Sequence, residues 1–131
     1  MHPEDQRYLV QFETCTLDPA TFNHRAHLRI AWIYVSNHDV DAASRKTCAG
    51  IRKFATAAGD ADKFHHTITE FLVRTMAARM SAEPATTFEE FLQRNPDILE
   101  DARGLLARHY SADSLASDAA KSGWVAPDLA A

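Results

Sequence analysis

Residues 23–35 read NHRAHLRIAWIYV and form the most apolar stretch of the chain, entered through two histidines three positions apart. On an α-helix, residues at i and i+3 lie on the same face, so we expect the imidazoles of His24 and His27 to point toward one spot. The residues after them are apolar almost all round the helix, which is typical of a helix buried on most sides. The stretch therefore predicts a central helix with a histidine pair at its start.

Length and composition predict one globular domain over residues 1–131, because 46% of the residues are hydrophobic and 24% are charged. The net charge of −4, with acidic and basic residues interspersed, argues against a nucleic-acid-binding surface. No stretch approaches the roughly 20 apolar residues of a membrane span, and the polar first residues show no secretory signal. Cys15 and Cys48 lack a CxxC spacing and are interpreted as buried, reduced thiols, so a cytoplasmic protein is predicted.

The spacing of apolar residues predicts an all-α fold, a single-domain bundle of four main helices followed by short C-terminal helices. Thr87 and Glu90 indicate a capping box at the start of the fifth helix. The tail from about residue 111 is expected to be partly irregular, with Trp124 anchoring an extended segment on the body. The expected helices cover residues 3–14, 21–37, 41–58, 63–81, 88–94 and 98–109.

Two adjacent histidines on the fourth predicted helix differ in their expected orientation. His65 falls within the apolar stripe of that helix, whereas His66 falls outside it, on the side of Glu70. We therefore expect His65 to face the interior, where its ring nitrogens need partners, and His66 to lie at the surface. The i, i+4 pair of His66 and Glu70 is interpreted either as an exposed pair or as a cation site.

The inward histidines predict a metal site between the second and fourth helices. If those helices face each other, His24, His27 and His65 meet at one point, and three neutral imidazoles with an open position match a divalent transition metal. Zinc, iron, nickel, manganese and copper all fit this ligand set. Glu13, a short loop away from His24, is the candidate catalytic residue, and Glu70 is the alternative. Its carboxylate can be a fourth ligand, a hydrogen-bond partner of an imidazole N–H group, or a general base.

Three further residues are candidates for substrate binding. Arg52 can hold an acidic group, Tyr34 can line a pocket, and Thr69 lies one turn after His65. Each has a plainer interpretation, as a surface arginine, a core tyrosine and a hydrogen-bond partner of His65. The pattern HExxH is absent, because Arg25 and Ala26 stand between the first two histidines, so a zincin-type protease is not supported.

Two functional hypotheses follow from these residues. The first is a small metalloenzyme, a hydrolase or an oxidoreductase, that activates water or dioxygen on a small polar substrate. The second is a non-enzymatic ligand-binding or accessory protein whose histidines form a metal-free polar layer in the core. Both hypotheses involve a small molecule and neither involves nucleic acid or a membrane. The oligomeric state stays open.

The segments Phe22 to Trp32 and Phe64 to Thr69, with the late Pro127-Asp128-Leu129, carry a resemblance that spans nearly the full chain. The chain resembles a group of small bacterial all-helical proteins whose pattern contains WtHxxHL, yHxTiT and a late PDL. That resemblance implies the same three histidines as site residues, and it implies no established activity. Phe22 stands where the pattern has tryptophan, which leaves the histidines untouched.

Overall fold

The computed structural model describes residues 1–129, and within that range the regular structure is entirely helical. The predicted all-α bundle of four main helices and short C-terminal helices is confirmed; Ala130 and Ala131, the end of the predicted domain, lie outside the described residues. The main helices are α1 (Pro3–Glu13), α2 (His24–Asn37), α3 (Val40–Ala57) and α4 (His66–Ala82). The shorter ones are α5 (Phe88–Arg94), α6 (Pro96–Glu100), α7 (Ala102–Ala107), α8 (Ala112–Leu115) and α9 (Asp118–Ser122), and single 3₁₀ turns cover Pro19–Thr21 and Ala61–Lys63.

Helix α2 lies at the centre of the bundle and packs on both α3 and α4. It starts at His24 because the Asn23 side chain accepts a hydrogen bond from the Ala26 amide at 3.0 Å, which caps an otherwise unpaired N–H group. The Asp39 carboxylate caps α3 in the same way, because it accepts a hydrogen bond from the Ala42 amide at 2.8 Å. The apolar residues of α2 are buried all round the helix, as the sequence predicts; they are Ala26, Leu28, Ile30, Ala31, Trp32, Ile33 and Tyr34.

Helix α1 approaches α3 closely, because α3 has no side chain at Gly50. A Cβ atom at that position would lie 2.6 Å from Cε2 of Phe12, whose ring is 1% exposed. The same ring stacks against Phe22 and Phe54, with centroid distances of 5.4 and 5.8 Å. This aromatic group fixes the turn that leads into the histidine pair of α2.

Two predicted helices have different ends in the structure. The fourth helix begins at His66 rather than near residue 63, because His65 has an extended backbone (φ −126°, ψ 111°) and its Nδ1 accepts a hydrogen bond from the Ile68 amide at 3.2 Å. The sixth is divided into α6 and α7, because Asp101 leaves the helical conformation and its carboxylate caps α7 through the Gly104 amide at 3.1 Å.

The capping box predicted at α5 is half formed. The Thr87 hydroxyl oxygen accepts a hydrogen bond from the Glu90 amide at 3.1 Å, as predicted. The Glu90 carboxylate accepts a hydrogen bond from the Thr86 hydroxyl at 3.0 Å, and the reciprocal bond of the box is replaced by this contact.

The C-terminal segment after α9 lies back on the body, and its backbone holds it there. The Thr67 hydroxyl donates to the Gly123 carbonyl at 2.6 Å and accepts from the Val125 amide at 3.1 Å. The Tyr110 hydroxyl donates to the Val125 carbonyl at 2.7 Å. Trp124, the expected anchor, is 40% exposed, and the Arg74 guanidinium lies over its ring at 5.8 Å from the centroid. In residues 1–129, no helix combines the length and the apolarity that crossing a bilayer requires.

Candidate functional site

A cavity of about 450 Å³ lies between α2, α3, α4 and the C-terminal helices. Its walls are mostly apolar, with a few polar side chains among them. Among the apolar residues are Leu28, Ala31, Ile51, Leu72, Val73 and Leu106. The polar ones are His24, His27, Thr47, Thr69, Arg103 and Tyr110.

The predicted histidine pair lines this central cavity from α2. His24 Nε2 lies 2.9 Å from the Ile98 carbonyl oxygen and donates to it, so its Nδ1 carries the free lone pair. The His27 ring packs against Phe22, with the two ring centroids 4.4 Å apart. Burial lowers the pKa of His27 to about 4, with repulsion from His24 adding to the effect, so this imidazole is uncharged at neutral pH.

His65 lines a second cavity of about 340 Å³, which shares four wall residues with the first: His27, Ile51, Ile68 and Thr69. Both ring nitrogens of His65 are engaged in hydrogen bonds. Nε2 donates to the Leu115 carbonyl at 2.7 Å, and Nδ1 accepts from the Ile68 amide at 3.2 Å. In this arrangement neither nitrogen has a lone pair available for a metal. His65 and His66 are both half-buried, so the predicted contrast between an inward and a surface histidine is not seen. His65 is the N-cap of α4 and not part of its apolar stripe.

The structure does not gather the three predicted metal ligands at one point. Within residues 1–129, the group of three His, Cys, Asp or Glu side chains whose ligand atoms lie within 4.8 Å of one another consists of Cys48, His66 and Glu70. A site built from His24, His27 and His65 would require His65 to give up its present hydrogen bonds. The three-histidine metal site therefore stays a prediction.

Glu13 and Tyr34 form a pair of their own, away from the histidines. The Tyr34 hydroxyl donates to Glu13 Oε2 at 2.8 Å, and burial together with this contact raises the pKa of Tyr34. Tyr34 is buried on α2 seven residues after His27, which is about 10 Å along the helix. The candidate catalytic carboxylate is thus held by the candidate substrate-binding tyrosine, and neither residue lines the central cavity.

The other two substrate-binding candidates lie in different places. Thr69 lines both the central cavity and the one next to His65, although its hydroxyl donates to the His65 carbonyl at 2.8 Å. Arg52 is exposed on α3 and lines a separate surface cavity of about 420 Å³. Of the two, Thr69 alone lies beside the histidine pair.

Thr47 is a cavity residue that was not predicted. It is fully buried on α3, and its hydroxyl oxygen has no hydrogen-bond partner among the described residues. Thr47 lies four positions after Ala43 and four before Ile51, which both face inward, and this spacing is the sequence signal that points to it. Thr47 is one of the residues around the central cavity, and neighbouring atoms cover its hydroxyl oxygen in the present arrangement.

A second group of polar residues lines the surface cavity that contains Arg52. His66 Nε2 lies 2.9 Å from Glu70 Oε1, and Arg74 Nε donates to Glu70 Oε2 at 2.8 Å. Cys48 lies beside them on α3 with 5% of its surface exposed. Burial, reinforced by the negative charge of Glu70, raises the pKa of the Cys48 thiol to about 12.

No protein-family model, curated protein or solved structure matches this chain. The resemblance to small bacterial helical proteins therefore stays a prediction.

Proposed function

We propose that the chain binds a small, mostly apolar molecule with one polar end in the central cavity. The observation that carries this proposal is a mostly apolar cavity beside Thr47, whose buried hydroxyl has no hydrogen-bond partner among the described residues. A buried polar group without a partner costs about 1–3 kcal/mol, and a polar group on a ligand would recover that cost. The cavity volume of about 450 Å³ is within the usual range of small-molecule sites.

The polar end of the ligand is assigned to His27 on α2 and to Thr47 on α3, whose hydroxyl would turn toward the ligand on binding. An uncharged imidazole both donates and accepts a hydrogen bond, so His27 can bind either a hydroxyl or a carbonyl group. The apolar part of the ligand would replace open space beside Ile51, Leu72 and Leu106, and burying it there provides most of the binding free energy. In this proposal the histidines recognise a ligand without a metal.

Naphthol and naphthalene test this proposal as a matched pair of probes, because they differ by one hydroxyl group. We expect the full-length protein to bind naphthol more tightly than naphthalene, by roughly fivefold to tenfold, in a fluorescence titration. Thr47→Val keeps the shape of the side chain and removes the hydroxyl, so it should reduce that preference. Ala31→Leu fills the cavity and should abolish the binding of both probes.

The control variant is Ala57→Leu, an equal change in volume at an exposed position of α3 away from the cavity. It should bind both probes as the unmodified protein does. Failure of the unmodified protein to bind either probe, or undiminished binding by a folded Ala31→Leu variant, would overturn the proposal. An unchanged preference for naphthol in Thr47→Val would show that a bound water, not a ligand, satisfies this hydroxyl.

A metalloenzyme is the second candidate, favoured by the presence of His24 and His27 on one wall of a cavity. Neutral imidazoles are competent metal ligands, and rotation of His65 away from Leu115 would add a third. A divalent transition metal held by this set would supply Lewis acidity to water, dioxygen or a substrate oxygen. Glu13 would act as its base only after leaving Tyr34.

Elemental analysis of protein purified without a histidine tag separates the two candidates. A near-stoichiometric loss of metal in His27→Ala would support the metalloenzyme. Protein that carries no metal, and whose melting temperature added metals leave unchanged, would exclude it. A cytoplasmic location, in which Cys15 and Cys48 stay reduced, is part of either proposal.

A further inference from the structure

The side chains of Cys48, His66 and Glu70 come together where α3 packs on α4. His66 and Glu70 are one turn apart on α4 and share a face, while Cys48 reaches them from α3. All three potential ligand atoms lie within 4.8 Å of one another. The ligand atoms of a tetrahedral zinc site are about 3.3–3.8 Å apart, so small movements of the side chains would bring these atoms into place. The zinc ion would displace the proton of the present hydrogen bond between His66 Nε2 and Glu70 Oε1, which lie 2.9 Å apart.

We propose that Cys48, His66 and Glu70 form a zinc site that joins α3 to α4. Thiolate sulfur, imidazole nitrogen and carboxylate oxygen are the ligands that Zn²⁺ takes in proteins. A thiolate among them disfavours magnesium and calcium, which select oxygen ligands. This zinc site is distinct from the central cavity, and it does not depend on ligand binding there.

The surroundings of Glu70 support this role. Arg74 Nε binds Glu70 Oε2 at 2.8 Å, which fixes the carboxylate and leaves Oε1, the oxygen nearest His66, directed toward the group. Metal-binding carboxylates are commonly held by such a second hydrogen bond. Arg74 also bonds Asp41 at 3.2 Å, so its positive charge is offset on the other side. With the thiol of Cys48 deprotonated by the metal, the negative charges of Cys48, Glu70 and Asp41 balance those of Zn²⁺ and Arg74.

Three protein ligands leave one position of a tetrahedral zinc ion for an external group, and here that group would come from the surface cavity of about 420 Å³. Arg45 and Arg52 line the same cavity. A small anion is therefore the external ligand that the charges of this cavity favour. Arg52, predicted to hold an acidic group, would do so beside this metal and not beside the histidine pair of α2.

Cobalt is the probe for this site, because Co²⁺ takes the place of Zn²⁺ and a cobalt–thiolate bond gives an intense near-ultraviolet charge-transfer band. Titration of the full-length protein with Co²⁺ should produce that band, and added Zn²⁺ should remove it. Cys48→Ser should abolish it, whereas Cys15→Ser, the matched change at the other cysteine, should leave it intact. His66→Gln and Glu70→Gln keep the thiol and should each weaken Co²⁺ binding about tenfold or more.

The variants His24→Ala and His27→Ala distinguish this site from a metal site in the central cavity. Both should retain the cobalt–thiolate band, since neither residue belongs to the group. Absence of the band in the unmodified protein, or its persistence in Cys48→Ser, would overturn the proposal. Undiminished Co²⁺ affinity in both His66→Gln and Glu70→Gln would do the same. Circular dichroism of each variant shows whether it is folded, and Cys48→Ala provides a second thiol-free variant.

Discussion

At the scale of single residues, the buried imidazole of His27 couples the stability of the fold to pH. Its pKa is about 4 in the folded chain, against about 6.5 in an unfolded one. Between these two values the unfolded chain binds a proton that the folded chain does not. The free energy of unfolding therefore decreases as the pH falls from about 6.5 to about 4, by at most about 3 kcal/mol from this residue.

Replacing His27 by glutamine should remove this contribution. We expect the unmodified protein to lose more stability than His27→Gln between about pH 7 and about pH 4.5 in urea-unfolding experiments, because glutamine does not titrate. Carboxylates also change the free energy of unfolding at low pH; one is Asp97, whose pKa is lowered by its hydrogen bond to Arg79. Their contribution is the same in both proteins and cancels in the comparison. Identical pH dependence in both proteins would contradict the burial of an uncharged His27.

Some site residues could be predicted from local spacing and others could not. The face shared by His24 and His27 follows from helical geometry within one segment, and the structure places both at the central cavity. The unpaired state of Thr47 depends on every group around it, which no local pattern specifies. The proximity of Cys48 to His66 depends on the register between two helices, so the sequence could suggest the pair of His66 and Glu70 but not its third member.

At the scale of helices, His65 joins α4 to the C-terminal part of the chain. Its Nδ1 caps the helix, and its Nε2 holds the last carbonyl of α8 at Leu115. Histidine is not among the preferred N-cap residues, which are serine, threonine, aspartate and asparagine. The helix start was consequently predicted about three residues too early, although the helix itself was predicted by its apolar spacing. The break between α6 and α7 was missed because it depends on the single capping contact of Asp101.

The two roles of His65 predict that adjacent histidines contribute unequally to stability. His65→Ala removes both the cap and the bond to Leu115 and should lower the free energy of unfolding by about 2 kcal/mol. His65→Asn restores the cap alone and should recover part of the loss. His66→Ala removes one hydrogen bond of a half-buried pair, while Glu70 keeps its bond to Arg74, so the loss should be smaller, about 1 kcal/mol.

Urea unfolding in metal-free buffer measures these differences, and the buffer keeps a zinc site at Cys48 from adding to the effect of His66→Ala. Equal losses in His65→Ala and His66→Ala would contradict the capping role of His65. A His65→Asn variant no more stable than His65→Ala would show that the bond to Leu115 accounts for the whole effect.

At the scale of the whole molecule, hydrogen bonds between distant parts of the sequence close the bundle. Thr67 on α4 binds Gly123 and Val125, which are 56 and 58 residues away in the sequence. Farther along, the Asp128 carboxylate accepts hydrogen bonds from the Ser111 hydroxyl and amide at 2.6 and 2.8 Å, which lower the pKa of Asp128. The all-α class could be predicted from local periodicity, whereas this closure depends on polar contacts with no periodic signal.

The fully buried hydroxyl group of Thr67 provides the test of this closure, because it forms two of the hydrogen bonds that hold the C-terminal segment on the bundle. Thr67→Val keeps the volume of the side chain but leaves the Gly123 carbonyl and the Val125 amide without their partner, so the free energy of unfolding should fall by about 1–3 kcal/mol.

Thr69→Val is the matched control on the same helix. The hydroxyl group of Thr69 donates to the nearby His65 carbonyl, so its loss should change the free energy of unfolding by less than about 0.5 kcal/mol. Urea unfolding measures both values, and amide hydrogen exchange should show faster exchange at Val125 in Thr67→Val alone. If the two valine variants lose equal stability and protect Val125 equally, the C-terminal segment is held by its apolar contacts and not by Thr67.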